Sequence, residues 1–117
     1  MNFAIVIEGD PQRDKSLAHA YEFARAAIAA GHRIHRAFLY HDAVRIADRG
    51  FNDNILVDHW IKFAREHSFE LAACVSAVAR RGIAAADGTS RDGIAIVGLG
   101  QFADCLLQAD RTVTFRA

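Results

Sequence analysis

The sequence predicts an α/β protein, a three-layer α/β/α sandwich around a mostly parallel sheet of about five strands. Three observations carry that expectation. Short apolar runs bounded by turn residues alternate with segments of helical period along the whole chain. The first run, Phe3 to Ile7 (FAIVI), is continuously apolar, the pattern of a strand buried on both faces. The connections are short, and parallel neighbours need crossovers, so helices must cover the faces of the sheet.

The elements follow in order. After FAIVI comes the turn cluster EGDP. From Lys15 to Ala30 the period changes: Leu17, Tyr21, Ala24 and Ile28 recur at helical spacing, with Ala20 and Ala27 filling the same face. Asp14 or Ser16 can cap the start, and Gly31 stands where such a helix stops. His32 to Tyr40 is the second strand, and HDAVRIADRG is a short helix or loop ending at Gly50. Asn52 or Asp53 caps a helix through His67, with Leu56, Trp60, Phe63 and Ala64 on one face. FELAACV is the third strand, SAVARRG a short helix, and IAAADGTSRDG a loop. IAIV is the fourth strand, GQFADCLLQA a helix and RTVTF the last strand. No repeat, linker or low-complexity tract interrupts residues 1–117, which read as a single domain.

Composition narrows the function. Hydrophobic residues make up 52% of the chain, as in a protein with a packed core. Fourteen basic residues balance fourteen acidic ones, which disfavours direct nucleic-acid binding, a role that needs a basic excess. Two cysteines are too few for a disulfide scaffold and fit a reduced, cytoplasmic setting. The apolar run at the N-terminus is too short for a membrane span and has no basic region before it.

Open α/β sheets bind ligands outside the carboxyl ends of their strands. Three segments fall there: EGDPQRD, YHDAV and CVS. Cys74 therefore lies at the functional edge, where a strand gives way to a helix that Ser76 can cap. A thiol among the free N–H groups of a helix start can have its pKa lowered, and the thiolate is the nucleophile. A reactive Cys74 must also be reachable from solvent. The alternative is a small buried residue packed among alanines. His41 follows the second strand, where it can stand beside Cys74 as a base or cation, or be a solvated loop histidine. Arg80 and Arg81 fall about 9 Å from Cys74 along the helix. There they complement the negative end of its dipole rather than join an anion site, unless a neighbouring subunit brings them to one.

Other signals are weaker. GLGQFA, Gly98 to Ala103, matches a dinucleotide fingerprint, but the chain ends before the position, about 20 residues further on, of the acidic residue that the fingerprint requires. Gly98 and Gly100 are expected to form a tight strand-to-helix turn instead. Six histidines suggest a metal only superficially. His32 and His35 sit at odd spacing in a strand and should face opposite sides, and His59 and His67 are two helical turns apart. Cys74 has no partner at zinc-ligand spacing. No metal is expected. Cys105, with Phe102, Leu106 and Ala109 at helical spacing, reads as a core residue.

The segments FAIVIEG, FARAAIAAGHRIHRAFLYHDAV, CVSAVARRGI and GLGQFADCLLQADRTVTF, in this order, resemble the DsrE/TusD family of sulfur-relay proteins. The resemblance runs nearly end to end, and the cysteine block followed by Arg-Arg-Gly is its most specific part. It implies a small α/β sulfurtransferase that carries sulfur as a persulfide on Cys74. It implies no metal or cofactor, a TusA-like donor, a TusE/DsrC-like acceptor, and a homo- or hetero-oligomer that includes heterohexamers with paralogous subunits. The settings it implies are 2-thiouridine formation in tRNA and dissimilatory sulfur oxidation. The first loop lacks the glycine and aromatic residues expected of the family, YHDAV has alanine for a usual glycine, and the loops around 45–52 and 83–93 are short. Two other readings stay open: a non-catalytic structural subunit of such a complex, and a small nucleotide- or phosphate-binding domain that uses the Gly98 to Gly100 turn.

Overall fold

Five strands form one sheet in the order β4-β3-β2-β1-β5: β1 (Asn2–Ile7), β2 (Arg33–Leu39), β3 (Glu70–Cys74), β4 (Ala95–Val97) and β5 (Arg111–Phe115). Every ladder is parallel. The structure is a computed structural model that describes residues 1–51, 55–83 and 91–116. The expected caps at Asn52 and Asp53 and the centre of the loop before β4 lie outside the described residues.

The order of the strands explains the layers. From β1 the chain steps in one direction through β2 and β3 to β4, and right-handed crossovers then put every connecting helix on one face. Those helices are α1 (Ser16–Ala29), α2 (Ile55–Glu66) and α3 (Val75–Arg80), joined there by a 3₁₀ segment, His41–Ala47. After β4 the chain reverses to reach the far side of β1, so α4 (Leu99–Gln108) crosses the opposite face alone.

The pleat sorts the core accordingly. Ile5, Ile7, Leu39, Leu71 and Ala73 point to the three-helix face, and Ala4, Phe38 and Ala72 to the α4 face. Trp60 is fully buried between α1 and α2, and its indole N–H donates to the Leu17 carbonyl at 3.1 Å. Tyr21 and Phe63 pack edge-on against the same ring system. The second face is thinner: Cys105 is the one fully buried residue of α4, with Phe102 set against Phe38 at 4.5 Å between ring centroids.

One irregularity corrects the strand reading. Phe3 pairs with Ile34 but Ala4 pairs with Arg36, so His35 is an extra, bulged residue in β2. Strict alternation stops there, and Ile34 and Ala37 reach the same core cluster although three residues apart. His32 lies before β2, its Nδ1 3.0 Å from the amino group of Met1. His32 and His35 therefore line one hollow, together with His67, at the amino end of the strands, rather than facing opposite sides. Among the described residues no group of three or more His, Cys, Asp or Glu is arranged to hold a metal ion. No described helix is long and apolar enough to cross a membrane.

Helix ends follow local chemistry. Lys15 occupies the N-cap position of α1, but the capping group is the Asp14 carboxylate, which accepts from the Ser16 N–H at 2.8 Å. Three helices stop in the same way. His32 N–H reaches Ala27 O, Phe69 N–H reaches Ala64 O and Ile83 N–H reaches Val78 O, each past one residue of positive φ: Gly31, Ser68 and Gly82.

Candidate active site

Cys74 is at once the last residue of β3 and the N-cap of α3. No loop separates the two elements. Its backbone is still extended, at φ −69° and ψ 124°, and the next residue is helical. Ser76, expected as the cap, is instead the second residue of α3 and is exposed. The seam comes early because the strand needs only Glu70 to Cys74 to complete its pairing: Ala73 is matched with Leu39 of β2 and Cys74 with Val97 of β4. Cys74 thus lies at the carboxyl edge of the sheet, where the sequence put it.

The expected open thiol is not found in the single chain. Cys74 is 2% exposed and shares the large apolar cluster with Val44, Ala77 and Val78. The cause is the missing loop: α3 turns at once and lays its buried residues Ala77 and Val78 on the same cluster. Both cysteines are unpaired. Cys105 is fully buried under α4, and burial pushes its thiol up from the ordinary 9.0 while the nearby Arg36 guanidinium opposes the shift.

His41 begins the 3₁₀ segment with a left-handed backbone, φ +49°. Its Nε2 is 3.7 Å from Glu8 Oε1 at the end of β1, and its ring stands edge-on to Tyr40 at 4.5 Å. Glu8 also meets Arg116, beyond β5, at 4.0 Å. These three residues line a hollow of about 400 Å³ over the ends of β1, β2 and β5. There β1 and β5 are neighbours although they are the first and last strands of the chain. Cys74, on β3, does not line it, and His41 meets Glu8 and Tyr40.

Arg81 meets the carbonyl end of α3, as expected, and also folds back along the helix to a partner that the sequence did not mark. Nη1 lies 3.4 Å from Ala77 O, and Nε and Nη2 reach Asp42 Oδ1 at 3.1 and 3.0 Å. A long side chain recovers the helical rise that separated it from the edge. Arg80 stays exposed in the last turn. A second clasp lies nearby: Arg45 Nη1 touches both Asp10 oxygens at 3.1 Å, and Nη2 reaches Gln12 at 3.2 Å. Asp10, Arg13, Asp42, Arg45 and Arg81 line a polar hollow of about 530 Å³. Asp10 and Asp42 lie in segments expected at this edge, whereas their partners come from 35 and 39 residues away.

Gly98 follows β4 and is the N-cap of α4, a one-residue junction, while Gly100, expected in the turn with it, is the second residue of α4.

A sequence model of the DsrE/DsrF-like family matches residues 1–115. The chain is 36% identical to a putative sulfurtransferase DsrE of Allochromatium vinosum, over 98% of both proteins. It is 33% identical to sulfurtransferase TusD of Serratia proteamaculans, over 98% of this chain and 99% of that one. Both alignments run over 128 positions, more than the 117 residues here, so the relatives hold segments that this chain lacks. Among solved structures, the ychN protein of E. coli superposes with a TM-score of 0.80 at 25% identity, over 98% of this chain and 99% of that one. With the family pattern covering nearly every residue and the same parallel α/β sheet beneath it, the chain belongs to the DsrE/DsrF-like family.

Proposed function

We propose that this protein is a sulfurtransferase that carries sulfur as a persulfide on Cys74. The observation that supports it most is the coincidence of two facts. The chain matches sulfurtransferases from end to end, and one of its two thiols ends a strand at the carboxyl edge of the sheet. In the first step the Cys74 thiolate attacks the outer sulfur of a donor persulfide, R–S–SH. A bond forms between Cys74 Sγ and that sulfur, the donor S–S bond breaks, and its electron pair leaves on the inner sulfur as R–S⁻. The proton stays on the transferred sulfur, and no external oxidant is needed. In the second step an acceptor thiolate attacks the terminal sulfur and Cys74 leaves as thiolate. The donor is a TusA-like carrier and the acceptor a TusE/DsrC-like protein, within an oligomer of this chain or with paralogous subunits. The setting is a reducing cytoplasm, and the pathway is tRNA thiolation or sulfur oxidation. His41 serves as base only if the 3₁₀ segment turns it from Glu8 toward Cys74.

One observation favours a second reading. A thiol 2% exposed also suits a structural subunit that keeps the fold and carries nothing. Alkylation of the folded protein separates the two. A carrier gains one alkyl group on Cys74, faster once its partner subunits are present. A structural subunit stays unmodified until denaturant is added.

A further inference from the structure

The sheet has two lateral edges, and they are built differently. β4 spans three residues, a short edge with little to offer for pairing. β5 spans five, RTVTF, all but the first strand-favouring, with no proline, lysine or bulge to guard it. Among the described residues its one neighbour in the sheet is β1.

The backbone shows which groups of β5 point outward. Phe115 O accepts from Glu8 N–H at 2.8 Å, so the main chain of Phe115 faces β1. Main-chain direction alternates along a strand. Arg111 and Val113 therefore face β1 too, and the N–H and C=O groups of Thr112 and Thr114 face the open side. Both threonines are exposed.

The sequence along this edge is complementary to itself. Residues 110–116 read DRTVTFR. When two copies pair antiparallel about Val113, Val113 meets its own copy, Thr112 meets Thr114, Arg111 meets Phe115 and Asp110 meets Arg116. The outward groups of Thr112 and Thr114 then exchange hydrogen bonds. Arg111 is set beside an aromatic ring, and an acid faces a base at each end. Asp110 and Arg116 are exposed and lightly held within the chain: Asp110 accepts from Asn2 N–H at 2.8 Å, and Arg116 Nε is 4.0 Å from Glu8 Oε1. A shift of one residue either way separates Asp110 from Arg116 and sets an outward-facing residue against one that faces β1.

We infer that β5 is the seat of a second copy of this chain, paired antiparallel about a two-fold axis through Val113, so that one sheet runs across both copies. The contact is the same patch on each copy, as two-fold symmetry requires. It is independent of the chemistry at Cys74.

The test uses charge variants of the full chain in sedimentation equilibrium. Asp110→Arg sets arginine against Arg116 of the second copy, and Arg116→Asp sets aspartate against Asp110. Each alone should raise the dissociation constant at least about tenfold, because two attractive pairs become two repulsive ones. Mixed one to one, the two variants should associate as wild type does, since every pair is again of opposite charge. Val113→Cys, oxidised with diamide, should give a disulfide-linked dimer on a non-reducing gel. Residues that face each other without hydrogen bonds stand about 4.5 Å apart, within the reach of a disulfide. Arg111→Cys, whose copies stand about 13 Å apart along the strands, should give none. A monomeric wild type would overturn the inference. So would single variants that associate as wild type does, a mixture that stays apart, no cross-link at position 113, or equal cross-linking at both positions.

Discussion

Burial sets the terms for Cys74, because a thiol 2% exposed exchanges only when the seam around it opens or a partner reshapes it. Cys105 is buried as well, and that burial pushes its thiol up. Other single residues fix the edge in place. Gly9 lies against the Asp14 carboxylate and the Ser16 hydroxyl, with no room for a Cβ. Gly9→Ala should therefore destabilise the protein by about 1–3 kcal/mol, the usual cost of overpacking, read as a lower midpoint in urea. Asp14 is held below the ordinary 3.8 by hydrogen bonds from the Ser16 hydroxyl and the Ser16 N–H. A depressed carboxylate stabilises the fold fully above its unfolded pKa and loses that contribution as pH falls through the folded value. Asp14→Ala should thus cost about 1 kcal/mol at neutral pH, as for a lost helix cap, and the gap to wild type should close in acid below pH 3.8. Unfolding curves measured at pH 7 and at successive pH values below 3.8 check both halves of that statement.

At the scale of elements, three helix ends make a natural comparison. Gly31 and Gly82 hold the left-handed position that ends α1 and α3, and Ser68 holds the same position after α2. A side chain there costs about 1 kcal/mol, so Ser68→Gly should raise stability by about that much and Gly82→Ala should lower it, both read by thermal melting. The clasp between α3 and the 3₁₀ segment is weaker. Arg81 and Asp42 are 26% and 55% exposed, so a double-mutant cycle should give a coupling of about 0.2–1 kcal/mol that fades with salt. These elements also show what could be read from sequence. Helix stops at Gly31 and Gly82 were legible because glycine marks them, whereas the stop at Ser68 carried no such mark. The bulge at His35 was not legible, since it arises from pairing with β1 and not from residues beside it. Cys74 was placed on the right edge by the run before it. Its burial and the return of Arg81 depend on long-range packing that no local pattern encodes.

At the scale of the whole molecule, one reversal of direction accounts for the architecture. Three crossovers run one way and load one face with α1, α2 and α3, and the fourth runs back and leaves α4 alone on the other. Alternation of strands and helices was enough to predict the layers. The reversal at β1 and β5 was not, because strand order is a property of the closed sheet. The hollow over the ends of β1, β2 and β5 belongs to Glu8, His41 and Arg116, whereas Cys74 lies on β3, beyond β2 and beside β4. The most direct measurement is peptide mapping by mass spectrometry after incubation with a cysteine desulfurase, a TusA-like carrier and cysteine. Wild type and Cys105→Ser should each gain one sulfur atom on Cys74, and Cys74→Ser should gain none. Sulfur retained on Cys105 in the Cys74→Ser variant, at the wild-type level, would contradict the assignment.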